Sequence, residues 1–416
     1  MANLTELRDA LKRRFAHDLN SLERGMLHHE AIQDIQGDVF LALGVDAGAH
    51  EDLAREVLYE VIGFGPLLPL MTDPTISEIM VNGPTRVFVE RLGQRDAVPH
   101  HFESPRHLRY VIQRLLHLSP GKRLDESSPM VDLSLPDGTR VNIVTPPAAV
   151  GGPQMTIRKW SNHFADLGTL IEVGTVDERM ATFLAAAVAG RQTILVSGAA
   201  GTGKTTLVQA LSGRFPVTDR VVVIEDTYEL HFAQDNQVRL LSKPANTDGA
   251  GAILIRDLFH NSLRMSPDRI ILGEMRGGEA FDFLQAVTSG HRGSLGILHA
   301  SSPTEALYRL ENLAAQSGLP VPMSVLRQQV AHGLDLVVQI DRHDDGVRRV
   351  TAISEVGRVD ERGEIEVRDL FRFVPAGRSD DGVRGRFLPT GVVPQMLEAL
   401  QLAGTGLERG LFTPPE

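Results

Sequence analysis

The stretch SGAAGTGKTT, Ser197–Thr206, decides the fold of this chain. It fits the pattern G-x-x-x-x-G-K-[ST], with Gly198, Gly203, Lys204 and Thr205 at the defining positions. The preceding run TILV favours a β-strand, and the following run TTLVQALSG favours a helix. The motif therefore lies between a strand and a helix, where backbone N–H groups can surround a phosphate. The alternative interpretation is a glycine-rich turn with a solvated lysine.

Each part of this loop has a chemical role in phosphate binding. Backbone N–H groups of the turn and of the helix N-terminus bind the β-phosphate, Lys204 spans the β- and γ-oxygens, and the Thr205 hydroxyl ligates Mg²⁺. We therefore predict a triphosphate site formed by the consecutive residues Gly198, Ala199, Ala200, Gly201, Thr202, Gly203, Lys204, Thr205 and Thr206.

Polar residues follow three further apolar runs downstream of the loop. RVVVIEDTYEL ends in Glu225 and Asp226 with Glu229 shortly after, DRIILGE ends at Glu274, and GSLGILHA ends at His299. Taken alone, each is better explained as a turn residue or a helix N-cap. In a parallel sheet, however, all strands end at the same edge, where open α/β sheets bind ligands. We therefore predict that these residues share one site with the loop.

Gly273 raises a question about the metal. In most P-loop ATPases the strand equivalent to DRIILGE ends in Asp-Glu, the aspartate serving Mg²⁺ and the glutamate serving the attacking water. Because glycine has no side chain to act as a ligand, we predict that Mg²⁺ is held by Thr205, phosphate oxygens, waters and an acid from the neighbouring strand, Glu225 or Asp226. Glu274 then orients or deprotonates the attacking water, and His299 hydrogen-bonds a γ-phosphate oxygen.

The rest of the chain predicts further domains. Residues 1–52 have helical periodicity, and 53–160 mix short strands with an amphipathic helix and a hairpin around the turn Asp137-Gly138. Residues 161–176 are predicted to be a linker. In 177–416, apolar β runs alternate with helices, which is typical of a parallel sheet covered on both faces. The predicted class is α/β, with a RecA-like ATPase domain carrying a C-terminal extension, an α+β (PAS-like) N-terminal domain and a helical N-terminal segment.

Composition excludes several classes of protein. With 53 acidic against 42 basic residues, the formal charge of −11 argues against general binding of nucleic acids. There is no cysteine, which excludes disulfides and thiolate zinc sites. The N-terminus lacks the apolar core of a signal peptide, and no apolar stretch approaches the ~20 residues of a membrane span. We expect any membrane contact to be peripheral.

The motifs together resemble the secretion-superfamily ATPases that drive type II and type IV secretion and type IV pilus assembly. IEDTYEL is similar to that family's Asp box, ILGEMRGGEA to its atypical Walker B motif, and TSGHRGSLGILHASSPTEALYRLENL to its His box. Two further stretches, VLYEVIGFGPLLPLMTDPTISEIMVNGPTRVFVER and RLDESSPMVDLSLPDGTRVNIVTPP, resemble the CpaF branch, which serves Tad (Flp) pili. The resemblance spans nearly the whole chain and weakens before residue 50 and after 375.

This resemblance implies a cytoplasmic homohexamer at the inner face of the inner membrane. ATP with Mg²⁺ would lie between the N- and C-terminal domains, and hydrolysis would extrude pilin subunits through inner-membrane platform proteins. Arginines would complete the site, and the candidates by motif are Arg140, Arg158 and Arg264, each of which a surface salt bridge explains equally well. The alternatives are a type IV secretion or conjugation channel ATPase, a pilus retraction ATPase, and a P-loop kinase or binding module without turnover.

Overall fold

The protein forms two compact units, Met1–Asn162 and His163–Glu416, and each is described here by itself. The computed structural model describes residues 64–91, 94–117, 122–135, 138–159, 166–230, 232, 234–243, 245, 250–379 and 382–415. The helical segment predicted for residues 1–52 lies outside these ranges.

The first unit is built on a six-stranded antiparallel sheet of order β3-β2-β1-β6-β5-β4. Its strands are β1 (Ile76–Asn82), β2 (Val87–Arg91), β3 (Gln94–Val98), β4 (Met130–Ser134), β5 (Arg140–Val144) and β6 (Gln154–Arg158). Its helices are a 3₁₀ turn (Gly65–Leu67), α1 (Leu68–Thr72) and α2 (Pro105–His117).

Apolar periodicity explains these elements. The hairpin β4–β5 alternates apolar and polar residues, and its apolar members, among them Leu133 and Ile143, are buried on one face. Helix α2 places Leu108, Ile112 and Leu115 at helical spacing in the same core. The prediction of an α+β domain here is confirmed.

The second unit contains a nine-stranded sheet of order β15-β14-β13-β12-β7-β11-β10-β8-β9. Six strands, β12, β7, β11, β10, β8 and β9, run parallel to one another. Strands β13, β14 and β15 extend the sheet beyond β12 with antiparallel pairing. Their bounds are β7 (Ile194–Ser197), β8 (Val221–Glu225), β9 (Gln237–Leu241), β10 (Arg269–Leu272), β11 (Leu295–Leu298), β12 (Leu336–Arg342), β13 (Arg348–Val359), β14 (Ile365–Ser379) and β15 (Gly382–Pro389).

Helices cover both faces of this sheet, as predicted. Alternate residues of the parallel strands enter two separate apolar cores, so that β8, for example, sends Val223 into one core and Ile224 into the other. The helices are α3 (Leu167–Glu172), α4 (Glu178–Ala189), α5 (Lys204–Ser212), α6 (Ile255–Ser262), α7 (Glu279–Thr288), α8 (Pro303–Ala315), α9 (Met323–Gly333), α10 (Leu397–Leu402) and a 3₁₀ turn (Arg409–Phe412).

One segment differs from the expectation drawn from sequence, and a second extends the sheet. Residues 167–172, placed in the predicted linker, form α3, and its Leu167 and Leu170 are buried in the core of the second unit. The Gly/Arg/Asp-rich stretch after Phe373 continues β14 and forms β15. Cross-strand pairing, which periodicity does not encode, extends the sheet here.

Helix length also bears on the membrane prediction. Within the ranges that the structure describes, no helix combines the length and the apolar character needed to cross a bilayer.

A buried ion pair anchors the amino end of β10, the strand that leads to Glu274. The side chain of Arg269 is fully buried, and its Nε donates to Asp219 Oδ2 at 2.6 Å. Its Nη1 donates to the carbonyl oxygens of Val188 and Gly293 at 3.0 and 3.2 Å. One guanidinium thus ties β10 to the segments that precede β7, β8 and β11 at the amino edge of the sheet.

Removing Asp219 should destabilise the second unit strongly. Asp219→Ala leaves the Arg269 charge buried without its counterion, which costs about 3–5 kcal/mol of unfolding free energy. The matched control is Asp344→Ala, because Asp344 and its partner Arg378 are largely exposed, and it should leave stability nearly unchanged. Urea unfolding followed by circular dichroism measures both. A loss below about 1 kcal/mol for Asp219→Ala would contradict the assigned role.

Candidate active site

The phosphate-binding loop connects β7 to α5 with backbone angles that favour glycine. Gly203, the N-cap of α5, has φ +97°, in the left-handed region. A Cβ at Gly198 would lie 2.2 Å from the Ile340 carbonyl oxygen, so only glycine fits there. Because Gly203 has no side chain to cap the helix, the first-turn N–H groups of α5 face the loop, where an anion can accept from them.

Three side chains from three elements form a continuous chain at the carboxyl edge. Lys204 Nζ donates to the carbonyl oxygens of Gly198 and Ala199 at 3.0 and 2.6 Å, and it lies 3.3 Å from His299 Nδ1. The other ring nitrogen, His299 Nε2, lies 2.9 Å from Glu274 Oε1. The structure therefore brings Lys204, His299 and Glu274 together, as the strand ends predict.

The neighbours of His299 define its protonation. Burial lowers the pKa of His299, the Lys204 charge lowers it further, and Glu274 opposes them only in part. The neutral ring carries one N–H, and Lys204 has only donors to offer. Nδ1 therefore accepts from Lys204, and Nε2–H donates to Glu274.

Arg276, which has no assigned role in the sequence motifs, completes the surroundings of Glu274. Its Nη2 lies 2.5 Å from Glu274 Oε2 and 3.2 Å from Asp226 Oδ2. Burial alone would raise the pKa of Glu274, but the hydrogen bond from Arg276 and the nearby positive charges outweigh burial and hold it below its ordinary value. Glu274 is thus a carboxylate at neutral pH, with one oxygen facing His299 and the other Arg276.

Glu225 occupies the space beside Gly273. Glu225 is only 3% exposed, and its Oε1 accepts from the backbone N–H groups of Glu229 and Leu230 at 3.0 and 2.9 Å. A Cβ at position 273 would lie 2.9 Å from Glu225 Cγ. The glutamate of β8 fills the space that an aspartate side chain at position 273 would need. The carboxylate beside β10 therefore comes from Glu225 at the end of β8, not from an aspartate at position 273.

The second carboxylate oxygen of Glu225 is buried without a hydrogen-bond partner. Mainly because of burial, the pKa of Glu225 is raised to about 7, against the backbone hydrogen bonds that favour the charged form. An unpartnered buried carboxyl oxygen is costly unless a proton or a cation satisfies it.

The acid that contacts Thr205 directly is Glu229, which follows the acidic end of β8. Thr205 Oγ1 donates to Glu229 Oε2 at 3.0 Å, whereas Glu225 binds backbone N–H groups and Asp226 pairs with Arg276. Glu225 and Asp226 stay the predicted Mg²⁺ ligands, and Glu229 adds a carboxylate next to the Thr205 hydroxyl. The position of Glu229 just after the acidic strand end was the only sequence signal for it.

The donor set around Thr205 fits Mg²⁺. A hydroxyl and carboxylate oxygens are the hard ligands that this ion takes, usually few in number beside phosphates and waters. Among the described residues, no group of three or more His, Asp or Glu side chains is arranged as a self-sufficient metal site. A site that borrows ligands from a phosphate is consistent with both observations.

The three candidate arginines lie apart from this edge or on the other unit. Arg264 follows α6 and precedes β10, so it lies at the amino edge, opposite Glu274, and one chain does not bring it to Lys204. Arg140 and Arg158 belong to the first unit, where they are direct cross-strand partners on β5 and β6.

Fold and site define a class of protein, a P-loop nucleotide-binding domain of the RecA-like type. The chain belongs to the family described as type II/IV secretion system protein, whose model matches residues 60–378. Relatives in this family are secretion-system and conjugal transfer proteins, and we assign the chain to the secretion ATPases in general.

Individual relatives agree with this assignment. The chain is 33% identical to a putative conjugal transfer protein of Mycobacterium tuberculosis, over 79% of this chain and 93% of that protein. It is 31% identical to VirB11 of Agrobacterium fabrum, over 71% and 91% of the two chains. Among solved structures, the Legionella pneumophila ATPase DotB is similar in fold, with a TM-score of 0.50 at 20% identity over 68% of this chain and 77% of DotB.

Adding one methyl group at position 273 should impair hydrolysis. In Gly273→Ala the Cβ meets Glu225 Cγ at 2.9 Å, so Glu225 must shift. We expect the steady-state ATP hydrolysis rate to fall about tenfold. The control is Gly410→Ala, because a Cβ there meets no atom within 4 Å. A Gly273→Ala rate equal to that of the wild type would refute the steric explanation.

The raised pKa of Glu225 predicts a pH-dependent stability difference. Its pKa rises from the ordinary value of 4.5 to about 7, so between these pH values the folded chain retains a proton that the unfolded chain releases. The wild type therefore loses stability as pH rises through this window. Glu225→Gln does not titrate, and its unfolding free energy relative to wild type should increase by about 3 kcal/mol between about pH 4.5 and about pH 8.

Urea unfolding at several pH values measures this difference. Glu408→Gln, at an exposed position, is the matched control and should follow the wild type throughout. If the gap between Glu225→Gln and wild type stays constant across the window, Glu225 is not protonated in the folded chain.

Proposed function

We propose that this protein is a homohexameric, Mg²⁺-dependent ATPase of the CpaF branch, which powers Tad pilus assembly by moving pilin subunits through an inner-membrane platform. The single observation that carries the ATPase part is the contact chain from Lys204 through His299 to Glu274, beside the phosphate-binding loop. The pilus part is supported by the stretches of sequence that resemble the CpaF branch.

The proposed chemistry uses the residues as the structure arranges them. The loop N–H groups and Lys204 bind the β- and γ-phosphates, and Glu274 accepts a hydrogen bond from the attacking water. The water oxygen then bonds to the γ-phosphorus while the bond from that phosphorus to the bridging oxygen breaks, so that ADP leaves with the electron pair; one water proton stays on the phosphate and the other passes to solvent. Because the pKa of Glu274 is held low, its role is to orient the water rather than to keep the proton.

His299 links the binding group to the orienting group. Its N–H donates to Glu274, so its orientation depends on the position of that carboxylate. Nδ1 of His299 faces Lys204. We propose that this contact is lost when Lys204 turns to the phosphate, and that His299 then hydrogen-bonds a γ-phosphate oxygen, so that its position depends on whether the γ-phosphate is present. Mg²⁺ would bind near Thr205 and Glu229, with Glu225 behind them, and would neutralise charge that develops on the phosphate oxygens.

In a hexamer, arginines of an adjacent chain can reach the bound nucleotide. We propose that Arg140 and Arg158, or Arg264 from an adjacent chain, place positive charge on the γ-phosphate. Such an arginine stabilises the transition state by several kcal/mol in other NTPases. The protein would work in the cytoplasm at the inner face of the inner membrane, bound there through its partners.

A second candidate function is supported by the relatives' names. The matches include conjugal transfer proteins and the Bordetella pertussis type IV secretion system protein PtlH, 40% identical over 53% of this chain and 73% of that protein. A type IV secretion or conjugation ATPase would use the same hydrolytic site. Deleting the gene in its host separates the two, because loss of Tad pili supports our proposal, whereas loss of DNA or effector transfer with pili intact supports the alternative.

Two substitutions test the hydrolytic site directly. Lys204→Ala should abolish phosphate release and weaken ATP binding, because the ammonium that bridges the phosphates is lost. Glu274→Gln should retain ATP binding but lower phosphate release by about a hundredfold or more, because an uncharged amide orients water poorly. Phosphate release and the binding of a fluorescent ATP analogue, both measured on purified hexamer, give the two readouts.

The control for Glu274→Gln is Glu398→Gln, an exposed glutamate on α10, which should behave as the wild type. Hydrolysis by Glu274→Gln at the wild-type rate would exclude the role proposed for Glu274. A wild-type protein that binds ATP without releasing phosphate would instead favour a binding module without turnover.

A further inference from the structure

A polar side chain, that of Gln339, is buried within the apolar part of strand β12. Gln339 is 2% exposed, and the flanking residues Val338 and Ile340 are buried. A buried amide is costly unless its donors and its acceptor are hydrogen-bonded. Its partners therefore decide what it does.

The amide of Gln339 makes three hydrogen bonds with a defined polarity. Its Oε1 accepts from Ser197 Oγ at 2.5 Å, and its Nε2 donates to the Ala300 carbonyl oxygen at 3.3 Å and to Asp341 Oδ1 at 2.9 Å. A carbonyl and a carboxylate can only accept, so the NH₂ group must face them. The orientation of the amide is thus fixed by chemistry.

Two partners of this amide, the Ser197 hydroxyl and the Ala300 carbonyl, belong to residues that adjoin the active site in the chain. Ser197 is the residue before Gly198, the first glycine of the phosphate-binding loop, and Ala300 is the residue after His299. Strand β7 lies between β12 and β11, and Ser197 is the cross-strand partner of both Gln339 and Leu298. Gln339 therefore bonds at once to the start of the loop and to the turn that carries His299.

The antiparallel extension holds the other side of the amide. Asp341 Oδ2 accepts from Thr351 Oγ1 at 2.6 Å, and Thr351 lies on β13. Asp341 is thereby fixed by one bond to the extension and offers its other oxygen to Gln339. This gives the amide a third support outside the parallel part of the sheet.

We propose that Gln339 is a positioning residue for ATP hydrolysis, which sets the backbone after β11 relative to the phosphate-binding loop. The contacts of His299 with Lys204 and Glu274 are 3.3 and 2.9 Å, so a shift of about 1 Å at Ala300 breaks at least one of them. The inference rests on the proposed ATPase function. It adds a residue that touches neither nucleotide nor water and acts through His299.

Gln339→Met tests this role, because it keeps the side-chain length and removes all three hydrogen bonds. We expect kcat for ATP hydrolysis to fall about tenfold, while KM and the Kd of a fluorescent ATP analogue stay within about twofold. The loop that binds phosphate keeps its own glycines and Lys204, so binding is spared. Gln339→Glu should lower kcat further, because it places an acceptor against the Ala300 carbonyl and the Asp341 carboxylate.

The matched control is Ser294→Ala at the opposite edge of the same sheet. Ser294 is also buried, and its hydroxyl donates to the His291 carbonyl oxygen and accepts from the Ile270 N–H at 2.8 and 3.1 Å. This variant should lower the melting temperature without lowering kcat. Gln339→Met should lower kcat at temperatures well below its own melting transition.

Several outcomes would overturn the inference. Gln339 would be an ordinary core residue if Gln339→Met had the wild-type kcat, or if it raised KM with kcat unchanged. The same conclusion would follow if Ser294→Ala lost as much kcat as Gln339→Met. If Gln339→Met does not fold, Thr351→Val, which only frees Asp341, should still lower kcat by about threefold, and no change there would contradict the inference. Absence of hydrolysis by the wild type would mean that the proposed function itself has failed.

Discussion

The site depends on keeping one ammonium charge, that of Lys204, at the carboxyl edge of a buried parallel sheet. Lys204 is 7% exposed, and a charge so buried must be paired or hydrogen-bonded. Lys204 is hydrogen-bonded to two loop carbonyls and to the neutral ring of His299. His299 in turn is hydrogen-bonded to Glu274. Parallel register makes this possible, because β7, β10 and β11 all end at the same edge. An antiparallel neighbour in this position would send its polar end to the other edge.

The acids around this charge are kept in different states by their surroundings. Arg276 holds the pKa of Glu274 low, whereas burial raises that of Glu225 to about 7. A low pKa suits a group that orients water without being protonated. A buried acid with one unsatisfied oxygen, behind the Thr205 hydroxyl and the Glu229 carboxylate, suits a place where a cation or a proton is gained and lost. Gly273 permits this division of roles, because its missing side chain leaves room for Glu225.

Fold and family establish what the second unit can do, and they leave the work done by the hydrolysis to be tested. Relatives with this family's sequence carry names from type IV secretion and from conjugal transfer, so the sheet and loop alone do not identify what is moved. The opposite edge of the sheet has a structural role. There Arg269 and Asp219 form a buried pair that fixes the start of the strand leading to Glu274. The residues that stabilise the sheet thus lie at the amino ends of these short strands, and the candidate site residues lie at their carboxyl ends.

The sequence by itself determined the loop, the class of fold and the strand ends that carry Glu225, Glu274 and His299. These features are local in the sequence. The motif lies between a run that favours a strand and a run that favours a helix, and each polar residue directly follows an apolar run. Only the tertiary structure decided that Glu229 contacts Thr205, that Arg264 lies at the far edge, and that Gly273 makes room for Glu225. It also revealed Gln339, which looks like an isolated polar residue in an apolar run. Each of these depends on which side chains meet across neighbouring strands and turns, and spacing along one strand does not specify those directions.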